Sequence, residues 1–146
     1  MAYVIYRTDI TGSSCVRFVK DDTDLALRPA DSNEVAITVT DSVFQDLITD
    51  VKDTSTYSGT TATINDVDAV SLSEEDFKDQ KEKIENRLMS FKNAFDNDLA
   101  TRANTYLTAL GNVDVSSITF PLAKTVNKYM KDENSDLEII HPWMLY

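Results

Sequence analysis

The sequence predicts an α+β fold, and three observations support that class. Short runs of β-branched and aromatic residues, separated by polar turns, fill residues 1–70 and are typical of strands. Residues 71–111 repeat apolar side chains at helical spacing. Residues 112–146 hold one short helical pattern and an apolar end. We therefore expect a small β-rich α/β module, a long central helix, and a short helix with an extended docking tail.

The N-terminal module is predicted to contain three strands. Residues 3–6 and Cys15–Val19 flank the turn-like residues 11–14, which indicates a hairpin. Glu34–Val39 alternates apolar and polar side chains with period two, as a half-buried strand does. The acidic residues 21–24 are expected to break the pattern between strands.

A short helix is predicted directly after the third strand. Thr40 or Asp41 can cap it, and an apolar stripe runs from Val43 to Val51. A last strand is expected at residues 62–64 or 67–70.

The long helix is the clearest predicted element. Ser73 is a good N-cap, Leu72 and Phe77 occupy the positions of a hydrophobic staple, and Gly111 fits the stop. An unbroken helix would span about 55 Å, whereas a 70-residue domain has a radius of gyration of about 11 Å. The helix is therefore either broken near residues 93–97 into an antiparallel hairpin or projects toward a partner.

The C-terminal part is expected to start a helix at Pro121, with Lys128 and Lys131 in its last turn. The apolar end contains the only Trp, at position 143, and is expected to dock on the chain's own core or on a neighbour. The predicted interface combines the helix stripe with this tail. Its residues are Ile84, Leu88, Phe91, Phe95, Leu99, Tyr106, Leu110, Trp143, Leu145 and Tyr146.

The charge pattern excludes several classes of partner. The formal net charge is −11, and Lys and Arg are too scattered to form a basic face. Direct binding of nucleic acid or of anionic membranes is not expected. The lysines at 78, 81, 83 and 92 and Arg87 lie among acids, which suits a solvated helix face.

Signatures of chemistry are scarce, so no enzyme, cofactor or metal is predicted. Three glycines leave no phosphate-binding loop, and Cys15 and His141 are the only residues of their types. Calcium was considered at residues 21–24 and 132–136, but neither has the spacing of an EF-hand. A small enzyme that uses carboxylates stays a minor alternative without a named residue.

The start of the sequence lacks the pattern of a signal peptide, and no stretch approaches about 18 apolar residues. We expect synthesis in the cytoplasm of a host cell.

The layout resembles small accessory proteins of tailed bacteriophages. The resemblance lies in the opening at residues 1–6, the long helix, and the tail segments 118–122 and 140–143, together with a Gly-poor, Thr/Asp/Asn-rich composition. It implies a non-enzymatic structural or adaptor protein of the virion, which binds copies of itself and other virion proteins. The alternatives are a tail-fibre assembly chaperone and an acidic inhibitor that mimics DNA. Chaperones of this kind carry an Arg-rich helix, whereas this helix has only Arg87 and Arg102.

Overall fold

The computed structural model describes residues 1–94 and 98–145, without side chains for residues 92–94. It contains both helices and strands, which confirms the α+β class. The chain divides into two compact units. The N-terminal unit comprises residues 1–67 and the chain end from Trp143, and the helical unit comprises residues 68–142. This division differs from the three predicted parts, because residues 112–142 belong to the same unit as the long helical stretch.

An antiparallel sheet forms the centre of the N-terminal unit. Its strands are β1 (Ala2–Arg7), β2 (Cys15–Val19) and β3 (Glu34–Val39), in the order β2-β1-β3. β1 and β2 form the predicted hairpin. β1 is paired on both sides, which satisfies its backbone hydrogen-bonding groups away from water. Its side chains Val4, Ile5 and Tyr6 are fully buried.

A helix that the sequence analysis missed follows β2. The helix α1 (Asp22–Leu27) begins after Asp21, whose carboxylate accepts a hydrogen bond from the Asp24 backbone N–H at 2.9 Å. Residues 21–24 do interrupt the strand pattern as predicted, but they do so by starting a helix that was not predicted. An aspartate at the N-cap satisfies a free N–H group, so this acidic run starts a helix.

The predicted short helix follows β3 as α2 (Asp41–Ile48). Its cap is Thr40 and not Asp41, because the Thr40 hydroxyl accepts a hydrogen bond from the Val43 N–H at 3.2 Å. The buried side chains of α2 are Phe44, Leu47 and Ile48. Val51, the predicted end of the stripe, lies beyond the helix and is exposed.

Four two-residue strands complete the N-terminal unit. β4 (Lys52–Asp53) pairs with β7 (Asn65–Asp66), and β5 (Tyr57–Ser58) pairs with β6 (Thr61–Ala62). Gly59 has a φ of 61°, as the tight turn between β5 and β6 requires. The first predicted position of a last strand, residues 62–64, overlaps β6 only at Ala62, and the last strand, β7, lies between the two predicted positions.

Two antiparallel helices, α3 (Glu74–Ala94) and α4 (Asp98–Gly111), form the helical unit's main layer. The Val126 backbone N–H donates to the Gln80 side-chain oxygen at 3.3 Å, while Asn127 accepts a hydrogen bond from the Tyr106 hydroxyl. In one straight helix, Gln80 and Tyr106 would stand about 39 Å apart. Of the two alternatives for residues 71–111, the hairpin is therefore the form adopted, and the single projecting helix is not.

Both predicted ends of the helical stretch are present. The Asp76 N–H donates to Ser73 Oγ at 3.1 Å, and the Ser73 N–H donates to the Asp76 carboxylate at 3.2 Å. Leu72 and Phe77 are buried, and α4 ends at Gly111.

The last long element is α5 (Val126–Glu133), which Thr125 caps by accepting a hydrogen bond from the Lys128 N–H at 3.2 Å. The predicted helix start at Pro121 is wrong. The next residue, Leu122, exchanges two backbone hydrogen bonds of 2.8 Å with Leu72, and this extended pairing is incompatible with the first turn of a helix. Lys131 lies in the last turn as expected, but Lys128 does not.

We predict that Tyr106→Phe lowers the free energy of unfolding of the helical unit by about 1–2 kcal/mol. The Tyr106 and Asn127 side chains are at most 1 % exposed, so water cannot replace their hydrogen bond. Tyr129→Phe is the matched control: its ring packs edge-on against Phe77, and its hydroxyl makes no hydrogen bond to a described residue. Urea denaturation followed by circular dichroism measures both variants. Equal losses would contradict the assigned role of the hydroxyl.

Candidate interaction surface

Most of the predicted interface stripe lies in the interior. The side chains that are at most 6 % exposed are Leu88, Phe91, Leu99, Tyr106 and Leu110. Because α3 and α4 fold against each other, these side chains are core residues, and their prediction as an intermolecular interface is corrected. Ile84 is half-buried, while Phe95 and Tyr146 lie outside the described residues.

The apolar tail packs on its own chain. Ile139 and Ile140 are at most 1 % exposed, and Leu145 is buried. Within the N-terminal unit, the Trp143 ring stacks on Phe18 with centroids 5.7 Å apart. Trp143 nevertheless keeps 37 % of its surface exposed, so among the described residues of the predicted interface it is the one that still offers a large ring to solvent.

An ion pair fixes the start of this tail within the helical unit. The Nε and Nη2 atoms of Arg102 donate to the two carboxylate oxygens of Glu138 at 2.8 and 2.6 Å. Arg102 also contacts Asp98 one turn earlier, at 3.2 Å. Bidentate pairing of this kind is geometrically specific, so Arg102 holds the start of the tail, at Glu138, against α4.

Cys15 is not prepared for nucleophilic chemistry. Its burial raises the pKa of the thiol to about 12, against a smaller opposing effect of a backbone hydrogen bond from Arg17. The thiolate is the reactive form, and almost none exists at neutral pH with such a pKa.

Two buried polar side chains of the N-terminal unit, Tyr6 and Arg17, have hydrogen-bond partners inside the fold, although the Nε atom of Arg17 has none among the described residues. The Tyr6 and Thr54 hydroxyls are 2.8 Å apart, and burial raises the pKa of Tyr6 to about 12. Arg17 contacts the Glu34 carboxylate at 3.3 Å and donates to the Arg28 carbonyl at 2.9 Å. These contacts fix loops and strands to each other, which is a structural role.

Neither acidic segment considered for calcium is arranged as a metal site. Asp21 is used as a helix cap, and Asp132 is paired with Lys124 at 2.8 Å and Lys128 at 3.1 Å. These lysines hold the pKa of the Asp132 carboxyl below its usual value. Across residues 1–94 and 98–145, no group of three or more His, Cys, Asp or Glu side chains is placed to hold a metal ion.

A shallow groove runs along the exposed flank of α3 in the helical unit. Its volume is about 490 Å³, and it is open to solvent over most of its extent. The lining residues are Lys83, Ile84, Asn86, Arg87, Ser90 and Pro142. Ile84 and Pro142 are the apolar residues of this lining, and the other four are two cationic and two uncharged polar residues. No carboxylate is among these lining residues, although the chain has 25 acidic residues.

Lys83 and Arg87 were predicted to be part of a solvated helix face, and the groove was not predicted. Their separation of four residues was visible and places both on one side of a helix. The position of Pro142 was not visible, because 55 residues separate it from Arg87 and only the packed tail brings it beside α3.

No protein family, curated protein or solved structure matches this chain. In the part of the chain that the structure describes, no helix is both long and apolar enough to cross a membrane.

We predict that Leu88→Ala lowers the free energy of unfolding by about 2–5 kcal/mol, because it leaves a cavity in the core. The neighbouring Met89 is 40 % exposed, and Met89→Ala should change stability by less than about 0.5 kcal/mol. Thermal denaturation of dilute protein measures both. If Leu88→Ala left stability unchanged and altered only the solution mass, Leu88 would be an interface residue after all.

We predict that Cys15 reacts with iodoacetamide at pH 8 at least about tenfold more slowly in the folded protein than in urea, because its thiol stays protonated. Mass spectrometry of timed samples follows the alkylation. Equal rates in both conditions would show that the thiol is accessible and ionised in the folded state.

Proposed function

We propose that this chain is a non-enzymatic structural or adaptor protein that acts by binding other proteins, and that the groove beside α3 is one of its contact surfaces. The groove is the observation that carries this proposal. Small-molecule pockets enclose most of their ligand, whereas this groove is open to solvent over most of its extent and is lined by both apolar and polar residues. That arrangement is typical of a protein–protein contact.

The burial of the helix stripe favours an adaptor over a building block that assembles through this stripe. With Leu88, Leu99 and Leu110 in the core, the described part of the stripe offers no apolar seam to a second copy. Binding must therefore use side chains that the fold leaves at the surface, such as those of the groove.

The chaperone alternative receives less support. The long helical stretch has two arginines, and Arg102 is engaged with Glu138 inside the chain. Of the two, only Arg87 lines the groove, so the described parts of these helices form no arginine-rich surface. The setting in a phage particle is an expectation from the sequence resemblance.

Site-specific photo-crosslinking tests the proposal. A benzophenone amino acid replaces Asn86, which lines the groove, or Lys78, which is exposed on the far side of α3. In the cells that naturally produce the protein, Asn86 should yield one dominant covalent adduct with another protein, and Lys78 should not. Mass spectrometry identifies the adduct, and a virion protein as partner would also support the phage setting. The same adducts from both positions, or none, would contradict binding at the groove.

A further inference from the structure

We propose that the outer edge of β3 is an interaction surface, and that its occupant is β3 of a second copy of the chain, paired antiparallel about a two-fold axis at Ala36. The sheets of the two copies would then join into one continuous sheet. This inference comes from the backbone of the N-terminal unit and does not depend on the groove beside α3.

The direction of the hydrogen bonds identifies which groups of β3 point outward. β3 is an edge strand, and the Thr8 N–H donates to the Asn33 carbonyl at 2.8 Å, one pair beyond the β1–β3 ladder. Residues of an antiparallel strand bond alternately to one side and the other, so every second residue from Asn33 bonds to β1. The residues between them are Glu34, Ala36 and Thr38, whose backbone groups therefore point away from the sheet.

This outer edge is open in the part of the chain that the structure describes. Thr38 is exposed and Ala36 is half-buried, and no described residue accepts a hydrogen bond from either N–H group. The β5–β6 hairpin comes near β3, but its strands pair only with each other. Its Tyr57 ring lies 5.0 Å from the ring of Tyr6 on β1, so the hairpin lies over a face of the sheet and not beside this edge.

The two edges of the sheet differ in their protection against pairing. At the β2 edge, the ladder with β1 shifts register, and the Ser55 carbonyl accepts hydrogen bonds from the N–H groups of Ser14 and Cys15 at 2.6 and 3.0 Å. Bulges, covering loops, Lys and Pro are the usual devices that keep an edge strand from pairing. Glu34–Val39 contains no Lys or Pro, and its ladder with β1 runs without a shift. The β3 edge is therefore suited to accept another strand.

The free backbone groups of β3 are complementary to themselves. About a two-fold axis at Ala36, the Ala36 N–H faces the Ala36 carbonyl of the second copy, and the Thr38 N–H faces the Glu34 carbonyl. The Glu34 N–H already donates to the Asp31 carbonyl within its own chain, at 3.1 Å. Every outward N–H group that lacks a partner therefore finds an acceptor in the second copy, which favours a second copy over an unrelated strand.

Side chains and charge are compatible with this register. Val35 would lie opposite Ile37 of the second copy, and pairs of β-branched residues stabilise neighbouring strands. Glu34 would lie opposite Thr38, so no like charges face each other on β3. The net charge of −11 opposes association over longer distances, but salt screens this repulsion. The dimer should therefore become more stable as salt is raised.

Light scattering of the full-length protein gives the first test. The mass should rise from that of one chain to that of two as the protein concentration is raised to about 0.5 mM. At a fixed concentration, the dimer fraction should increase between about 0.05 and 0.5 M salt. The mass of one chain throughout would overturn the proposal, and a strand of a different protein would then be the occupant to seek. A dimer that dissociates as salt is raised would also contradict it.

Substitutions at Thr38 provide matched variants. Thr38→Pro removes the outward N–H group and should raise the dissociation constant of the dimer about tenfold or more. Thr38→Val keeps this group and the β-branched shape, so it should change the dissociation constant less than about twofold. Circular dichroism establishes that both variants are folded. Equal dissociation constants for the two folded variants would show that the dimer forms elsewhere.

Disulfide crosslinking tests the register and does not require Thr38→Pro to fold. In a Cys15→Ala background, Ala36→Cys would place two thiols on facing residues whose Cα atoms are about 5.5 Å apart, within reach of a disulfide. Thr38→Cys is the control, because its two copies would lie about 13 Å apart along the strands. Non-reducing electrophoresis after mild oxidation should show a crosslinked dimer for Ala36→Cys only. Crosslinks from both variants, or from neither, would overturn the proposed register.

Discussion

The helical unit depends on burial of the apolar stripe that runs along α3 and α4. Each large apolar side chain removed from water contributes about 1.5–3 kcal/mol, whereas isolated helices of this length are only marginally stable in water. When α3 and α4 fold against each other, these side chains are removed from water within one chain, without a second molecule. This packing also explains why Leu88, Tyr106 and Leu110 have no exposed surface at all.

Once the two helices face each other, α5 completes their core. Val126 is fully buried and Met130 nearly so, and the rings of Phe77 and Tyr129 meet edge to face at 5.5 Å. The buried hydrogen bond from Tyr106 to Asn127 adds a directional contact to this apolar packing. In any other alignment of α5, these buried polar groups would lose their hydrogen bond, which costs free energy. The pair therefore favours this alignment of α5 on the two helices.

The density of net charge on the surface helps to distinguish the possible functions. The chain exposes 7941 Å² and carries a net −11, which is about 720 Å² of surface for each net charge. Duplex DNA carries one charge per about 1.7 Å of axis, or roughly one per 100 Å² for a cylinder about 20 Å wide. The surface is therefore several-fold less dense in net charge than DNA, which weakens the alternative of an inhibitor that mimics DNA.

The amino-acid sequence by itself determined the local elements of this protein. Period-two alternation in Glu34–Val39, the hydroxyl caps at Thr40 and Ser73, and the stop at Gly111 depend on neighbouring residues, and each could be read directly. The α+β class followed from the same patterns. The helix after Asp21 could also have been predicted, because an aspartate is a suitable N-cap. The acidic run was instead interpreted as a break.

Only the tertiary structure decided where the apolar surfaces went. An amphipathic stripe has the same pattern whether it packs on its own chain or on another, because burial is non-directional and depends on area alone. The choice came from contacts between distant residues, such as Gln80 and Tyr106 meeting at α5. The groove also depends on tertiary packing, because Pro142 lies beside Lys83 and Arg87 only when the tail has packed. Local patterns fixed the helices and strands, but long-range packing decided which residues form the core and which remain available to a partner.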